Sequence, residues 1–177
     1  MSRLRASLLL IVPAMLAVLA GAAISAHDRY TLQVPGGLAF AEFKGYEAWP
    51  VISLSQSGEV FAVILGNAAM IEAYQAGIPG NGKPFPDGAK MAKIHWNQKK
   101  SAEAPAPTLV PDTLHDIDFM VRDSKRFADN GNWAYAQFNY DTASDTFTPL
   151  GTGVNCGTAC HTIVKAKDYV FTTYPKR

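Results

Sequence analysis

Both cysteines of the chain lie near its C-terminus, within the stretch NCGTACHTIV. Three residues separate Cys156 from Cys160, and His161 follows the second cysteine directly. The nearest known signature is Cys-x-x-Cys-His, at which c-type haem is attached, and there only two residues separate the cysteines. The stretch therefore predicts either a haem attachment site with a longer spacing or a disulfide that lies beside a histidine.

The longer spacing is compatible with haem attachment if the stretch is helical. Each residue of a helix advances by about 100°, so thiols four positions apart share one face. The extra residue displaces only Cys156, whereas Cys160 and His161 keep their usual relation. A disulfide would close a very short loop and gain little loop entropy. A zinc site lacks an evident fourth ligand, and a thioredoxin-like pair would need a two-residue spacing, so haem and a disulfide both stay open.

The first 26 residues have the layout of a cleaved secretory signal. Arg3 and Arg5 precede a long apolar run that ends in a region of small residues. We therefore expect a mature domain of residues 27–177 that is periplasmic or secreted and does not span a membrane. Loss of the two arginines changes the net charge from +1 to −1, which gives no reason to expect nucleic acid as a partner. The oxidising compartment permits either a disulfide or c-type haem.

Alternating apolar and polar residues predict several antiparallel strands. In KMAKIHW the alternation puts Lys93 and His95 on the same face. In LHDIDFMV it puts Asp116 and Asp118 on one face and His115 on the other. Two hairpins are predicted, one from VISLS and EVFAVIL and one from WAYAQFNYD and DTFTPL.

Helices are predicted to be few and short. The segment NAAMIEAYQAG begins at the cap residue Asn67 and ends at Gly77. A helical start is predicted near LAFAEFKGYEAW, and a short turn is predicted at DSKRFAD. The last predicted helix carries the cysteine motif and leads into a predicted strand DYVFTTY. Loops rich in proline and glycine are predicted over Gly77–Gly88 and Ser101–Asp112. The predicted fold class is α+β, a single antiparallel β-sheet-rich domain with a few short helices.

Three longer segments carry a resemblance to a known family: FPDGAKMAKI, DFMVRDSKRFADNGNWAYAQF and CGTACHTIVKAKDYVFT. In these segments the chain resembles the cytochrome P460 family, small secreted bacterial haem proteins. The resemblance extends from FKGYEAW to DYVFTTY and covers nearly the whole predicted mature chain. It favours haem over a disulfide at the cysteine motif, with the haem near the C-terminal helix.

The resemblance implies a set of haem-binding residues. His161 matches the family's proximal iron ligand, and Cys156 and Cys160 match its thioether cysteines. The family also has a lysine that is cross-linked through its side-chain nitrogen to the haem macrocycle. Lys93 matches that lysine, and Lys90 is the alternative because it lies in the same segment on the opposite strand face. Without the resemblance, Lys93 would be interpreted as an ordinary exposed lysine.

The resemblance further implies a carboxylate near the open axial position, where it would take protons from a substrate bound to iron. Asp118 is the best match and Asp116 is the alternative, although acidic residues are also common on exposed strand faces. His95 and His115 could be sixth iron ligands, but ordinary hydrogen bonding is the more common role. Aromatic residues that could line the pocket or simply form the core are Phe85, Trp96, Phe119, Trp133 and Phe138.

The leading hypothesis is a haem enzyme that oxidises hydroxylamine to nitrous oxide at a five-coordinate iron. Its electrons would pass to a small acceptor such as a soluble cytochrome, and the resemblance implies a homodimer. One alternative is a protein that binds nitric oxide or a similar gas without turnover. The other is a haem-free secreted domain closed by a Cys156–Cys160 disulfide.

Overall fold

A computed structural model of the protein describes residues 24–25, 28–150 and 153–177. The strands are β1 (Ile24–Ser25), β2 (Val51–Ser57), β3 (Val60–Gly66), β4 (Lys90–Lys100), β5 (Leu109–Arg122), β6 (Trp133–Asp141) and β7 (Thr146–Leu150). The α-helices are α1 (Ala68–Gln75) and α2 (Gly153–His161). Within the described ranges, the strands form one antiparallel sheet in the order β1-β7-β6-β5-β4-β3-β2. The predicted antiparallel α+β fold and both predicted hairpins are confirmed.

The register of the two central strands decides which polar side chains share a face. In the antiparallel pair of β4 and β5, Lys93 lies opposite Asp118 and His95 lies opposite Asp116. Side chains that are directly opposed across two strands point to the same face of the sheet. These four residues therefore form one polar group, while the residues between them enter an apolar core on the other face.

That apolar core lies beneath the segment that precedes β2. The segment contains three short 3-10 helices, Arg29–Thr31, Phe40–Phe43 and Tyr46–Ala48, where the sequence predicts a helical start. Phe40 is fully buried, and five aromatic rings surround it with centroid distances between 4.8 and 6.1 Å. These rings belong to Tyr30, Tyr46, Phe119, Phe138 and Phe147. Most of them meet edge to face, the arrangement that aromatic quadrupoles favour.

Helix α1 packs on the same face of the sheet as this polar group. The helix begins at its predicted cap residue, Asn67. The Asn67 Oδ1 accepts hydrogen bonds from the Met70 N–H at 3.1 Å and from the Lys90 N–H at 3.0 Å. One side chain therefore caps the helix and also fixes the start of β4. The Tyr74 hydroxyl donates to the Thr172 carbonyl at 2.8 Å, which attaches the C-terminal segment to α1.

The predicted strand at DYVFTTY is wrong. Residues 168–177 contain neither helix nor strand, because Asp168 and Tyr169 have φ values of +50° and +62°. Such left-handed backbone is incompatible with a β-strand. The segment instead turns sharply after the 3-10 helix Thr162–Lys167 and passes across the sheet as an irregular chain.

The predicted loop over Ser101–Asp112 is shorter than expected. β4 continues to Lys100 and β5 already begins at Leu109, so only residues 101–108 form the connection. Pro111 lies not in the loop but within β5, where it pairs with Gln98 beside a register shift. A missing N–H is tolerated at such an irregularity because the hydrogen-bond ladder is interrupted there.

The predicted signal, residues 1–26, lies outside the described residues except for β1, and its cleavage stays a prediction. Removal of residues 1–26 would eliminate β1, which pairs Ile24 with Phe147 of β7. In the part of the chain that the structure describes, every helix is too short or too polar to cross a membrane.

Candidate functional site

A cavity of about 680 Å³ lies between the sheet, helix α2 and the C-terminal segment. Small-molecule and cofactor sites commonly have volumes of about 300–1,000 Å³. Among the residues bordering the cavity are four of the predicted site residues, which come from three different elements: Lys93, Asp118, Cys160 and His161. Helix α2 includes position 156, but the side chain of Cys156 lies outside the described part of the structure.

His161 is held in a single orientation by a main-chain acceptor. Its Nδ1 lies 2.6 Å from the Tyr169 carbonyl oxygen. Because a carbonyl can only accept, Nδ1 must carry the proton, and Nε2 keeps a free lone pair. Burial lowers the pKa of His161 and outweighs the opposing effect of this hydrogen bond, with Lys93 adding to the lowering. The result is a neutral imidazole with one nitrogen available to bind a metal.

The carbonyl that orients His161 belongs to a left-handed turn at Asp168 and Tyr169. The Asp168 carboxylate accepts a hydrogen bond from the Phe85 N–H at 2.8 Å and lies 3.5 Å from the Arg122 Nε. A non-glycine residue holds such a backbone only when its surroundings impose it. These polar contacts therefore fix the position of the carbonyl from two other parts of the chain.

Two aromatic rings enclose the imidazole of His161. The Tyr135 ring centroid lies 4.5 Å away and that of Phe171 lies 4.9 Å away. Neither residue was predicted from the sequence as part of the site. Tyr135 could have been found from the alternation in WAYAQ, but Phe171 belongs to the segment that was wrongly predicted as a strand. A packed ring with a fixed hydrogen bond is well preorganised as a ligand.

The approach of α2 to β6 requires a glycine at position 157. A Cβ atom at that position would overlap the Tyr135 side chain. We expect Gly157→Ala to lower the free energy of unfolding by about 1–3 kcal/mol, the usual cost of overpacking. Chemical denaturation would measure this loss, with Ala159→Gly on the exposed face of α2 as the comparison. The near-ultraviolet signal of Tyr135 should change only in Gly157→Ala, and an unchanged stability would contradict the close packing.

Lys93, rather than Lys90, borders the cavity. The Lys90 Nζ lies on the other side of the sheet, where it donates to the Glu42 carbonyl at 2.5 Å and lies 5.5 Å from the Phe43 ring centroid. The predicted opposite facing of the two lysines is therefore confirmed. Of these two lysines, Lys93 is the one that borders the same cavity as His161.

Asp118 is partly buried beside Lys93 and has an unusual acidity. Its pKa is raised to about 6, chiefly by burial and also by the negative charge of Asp116, whereas His95, Lys93 and His115 oppose the shift. A carboxyl group with this pKa changes protonation near neutral pH. It is therefore suited to accept and release protons under ordinary conditions.

The other polar candidates lie behind Asp118, away from the cavity. Asp116 is buried, and its two oxygens contact the Nδ1 atoms of His95, at 2.5 Å, and of His115. Burial disfavours the charged form of Asp116, but these two contacts outweigh it and lower its pKa. Neither histidine borders the cavity, so the geometry gives no support to their role as iron ligands.

The aromatic residues proposed for the pocket mostly belong to the core. Phe85 and Trp133 pack beneath α1, and Phe138 belongs to the cluster around Phe40. Trp96 packs against that same cluster. Phe119 does border the cavity, but its ring stacks on that of Phe43 in the opposite core. The ordinary core interpretation of these aromatic residues therefore describes the structure better.

The residues around the cavity fit a haem-like group. A neutral imidazole with a free Nε2 and the thiol of Cys160 lie on one wall, and most of the remaining lining is apolar. The Tyr135 hydroxyl is buried without a hydrogen-bond partner in the described structure. Such an orphaned group is expected where a further molecule completes the site. His161 would bind the iron and Cys160 would form a thioether bond.

A sequence model of the cytochrome P460 family matches residues 43–172 of the chain. The matched range includes the strands that form the cavity floor, helix α2 and the turn that orients His161. No individual curated protein matches the sequence.

Proposed function

We propose that this chain, which belongs to the cytochrome P460 family, catalyses a haem-dependent oxidation of hydroxylamine. The family is one of haem proteins, so a haem cofactor follows from membership. The substrate is the one that the resemblance to the family implies, and one observation supports it. An imidazole that can bind iron, an amine and a carboxyl group that titrates near neutral pH all border the same cavity.

The cofactor in this proposal is a c-type haem that is held by α2 and the sheet. Nε2 of His161 would bind the iron, and the thiols of Cys160 and Cys156 would form the thioether bonds. Lys93 would form a further bond from its Nζ to the macrocycle, as the resemblance implies. That bond requires the amine in its neutral form, because only the lone pair of nitrogen is nucleophilic.

A haem held by these residues would supply the redox chemistry that removes electrons from the substrate nitrogen. Two hydroxylamine molecules yield one nitrous oxide, one water, four electrons and four protons, so the residues of the cavity must dispose of the protons. Asp118 is in its carboxylate form above about pH 6 and accepts a proton from the substrate. The apolar lining limits the access of water.

The product nitrous oxide, a small external electron acceptor such as a soluble cytochrome, a homodimeric state and a periplasmic location complete the proposal. These four points are supported by the family membership and by the secretory layout of residues 1–26. Size-exclusion chromatography with light scattering and N-terminal sequencing of protein exported to the periplasm would test the last two. A monomer, or an N-terminus at Met1, would contradict them.

A second candidate function is the binding of nitric oxide or a similar gas without turnover. The largely apolar lining of the cavity favours it, because an apolar site suits a small uncharged ligand better than proton transfer. The presence of Asp118 and Lys93 on the same lining favours the enzyme. Gas binding without any hydroxylamine oxidation would decide for the binding protein.

We expect the periplasmically matured protein to carry haem on the peptide that contains Cys160. The intact and tryptic masses should show haem on that peptide and a second covalent link to the peptide that contains Lys93. Lys93→Ala should abolish the second link and change the absorption spectrum. Lys90→Ala is the matched control, because Lys90 is on the same strand but faces away from the cavity, and it should leave both unchanged.

Two results would contradict this assignment. An unchanged spectrum and unchanged hydroxylamine turnover in Lys93→Ala would exclude the lysine link. A colourless protein that is lighter by two hydrogens would exclude haem and establish a disulfide between Cys156 and Cys160. Cys160→Ser separates the two cysteines, since this variant should lose one thioether bond and keep its haem attached through Cys156 and Lys93.

A further inference from the structure

Four titratable side chains form a continuous group that begins at the cavity and ends at the surface. Asp118 borders the cavity, Asp116 and His95 lie behind it, and His115 is half exposed to solvent. His95, Asp116 and His115 have no contact with the cavity and no part in the function proposed above. Their arrangement therefore needs its own explanation.

The first contact in this group connects Asp118, at the cavity, with His95 in the interior. The His95 Nδ1 lies 3.9 Å from the Asp118 Oδ2. This distance exceeds a hydrogen bond but is closed by a small rotation of either side chain or by one bridging water. The cross-strand register supports the proximity, because Lys93 and Asp118 are opposed and His95 is the next residue on the same face of β4.

Two further contacts connect His95, through the buried Asp116, with His115 at the surface. The same His95 Nδ1 lies 2.5 Å from one oxygen of Asp116, and the other oxygen contacts the His115 Nδ1. Neighbouring residues of a regular strand point to opposite faces, as the sequence predicts for His115 and Asp116. The register of β4 and β5 shifts at Trp96, and beside this irregularity the His115 ring reaches the carboxylate. The ring is 50% exposed.

We propose that Asp118, His95, Asp116 and His115 form a proton path between the cavity and bulk solvent. The direction of flow rests on the proposed function, since hydroxylamine oxidation releases protons in the cavity. The path itself depends only on the contacts of the four side chains.

The proton moves along the path in successive steps, with one bond broken for each bond formed. The two transfers at the His95 Nδ1 occur in turn, because one nitrogen has one lone pair: Nδ1 first passes its proton to the near oxygen of Asp116, and the lone pair left behind then takes the proton of Asp118. Rotation of the Asp116 carboxyl group brings the proton to the side of the His115 Nδ1, which accepts it. The exposed ring of His115 then loses a proton to water. One proton has left the cavity, and Asp118 is again a carboxylate that can accept the next one.

Few other charges act on the path within the described residues. Lys93 faces Asp118 from β4, and Gln137, which cannot titrate, faces it from β6. The pKa of Asp118 is raised to about 6 chiefly by burial, so this carboxyl is protonated often enough to act as the entry point. Asp116 has a lowered pKa and therefore holds a proton only in passing.

The same cluster has a geometry that could instead bind a divalent cation. One ligand atom each from His95, Asp116 and Asp118 lies within 4.8 Å of the other two. The short contact of His95 with Asp116 already occupies Nδ1, the ring nitrogen that faces both carboxylates. The proton path therefore uses the contacts as they stand, whereas a metal would have to replace them.

The test follows the protonation of Asp118 directly in the haem-loaded protein, without any substrate. The infrared carbonyl band of protonated Asp118, identified by its absence in Asp118→Asn, is monitored after a laser temperature jump near pH 6. His95→Asn keeps a donor to Asp116 but cannot relay a proton, and His115→Ala removes the exit. Thr113→Val is the matched control, because Thr113 accepts a hydrogen bond from Asn97 across the same strands but lies off the path.

We expect the relaxation to slow by about 10²-fold in both histidine variants, the lower end of what a positioned proton carrier contributes. The control should relax at the wild-type rate. Millimolar imidazole in the buffer should restore the rate in His115→Ala, where the missing ring was exposed, but not in His95→Asn. A titration of the same band separates this change in rate from a change in the pKa of Asp118.

Two outcomes would overturn the proposal. Equal relaxation rates in all variants would mean that protons reach Asp118 through the cavity mouth. One equivalent of zinc or another divalent metal in the purified protein, lost in His95→Asn, would make the cluster a metal site. If the path is intact but hydroxylamine is not oxidised, the proposed function fails and the proton path stands.

Discussion

Replacing Asp118 by asparagine is expected to lower the rate of hydroxylamine oxidation by about 10²- to 10⁴-fold, the usual contribution of a positioned base. The asparagine fills the same space but cannot accept a proton. In the wild-type protein the rate should rise as the pH increases through about 6, because the carboxylate form is the active one. In the variant this rise should disappear. Steady-state kinetics between pH 5 and 8 would measure both effects.

The matched control is Asp112→Asn, the same chemical change on the same strand. Asp112 forms a surface ion pair with Lys99 and lies far along β5 from the cavity, so its loss should leave the rate unchanged. Thermal unfolding distinguishes lost chemistry from lost folding. A carboxyl group whose pKa is raised on folding stabilises the protein only at low pH, and this contribution is lost as the pH rises through about 6. Asp118→Asn should therefore unfold at no lower temperature than the wild type at pH 8. A fully active variant would exclude Asp118 as the base.

Phe40→Ala is expected to lower the free energy of unfolding by about 3–5 kcal/mol, the usual cost of removing a buried aromatic side chain. Phe40 is fully buried and lies in contact with five other rings, so the cavity left behind would be lined by side chains that cannot all move inward. Guanidinium denaturation would measure the loss. Leu109→Ala, at an exposed position, should change the stability by less than about 0.5 kcal/mol.

The absorption spectrum provides a second measurement on the same variant. Phe40 lies on the opposite side of the sheet from the cavity. While the protein is folded, the spectrum of the haem-loaded variant should therefore match that of the wild type. A stability loss below about 1 kcal/mol would contradict the central position of this ring, and a changed spectrum would show that the two faces are coupled.

The sheet, and the residues that share each of its faces, could be predicted from the sequence because side chains alternate between the two faces along a strand. Alternation in KMAKIHW correctly separated Lys93 and His95 from the apolar residues between them. The cap at Asn67 was also predictable, since its effect is local. A helix was also predicted at the cysteine motif, and α2 confirms it for the backbone.

The parts that could not be predicted depend on long-range contacts. The turn at Asp168 and Tyr169 contains no glycine and is held by Phe85 and Arg122, which are distant in sequence. A local pattern therefore indicated a strand where the tertiary structure imposes left-handed backbone. The contact of His115 with Asp116 arises beside an irregularity in the pairing of two strands, which alternation cannot reveal.

The hydrogen bond that orients His161 ends on a peptide carbonyl and not on a side chain. Many side chains at position 169 could preserve this acceptor, provided that they tolerate the left-handed backbone and the close approach of Gly131. Substitutions at position 169 would therefore show which side chains fit the turn, but they would not remove the carbonyl that accepts the hydrogen bond. Loss of the hydrogen bond is expected when Asp168 is changed, because its carboxylate contacts Phe85 and Arg122 and thereby holds the turn. A mutational screen would therefore assign this effect to Asp168, although the acceptor atom belongs to Tyr169.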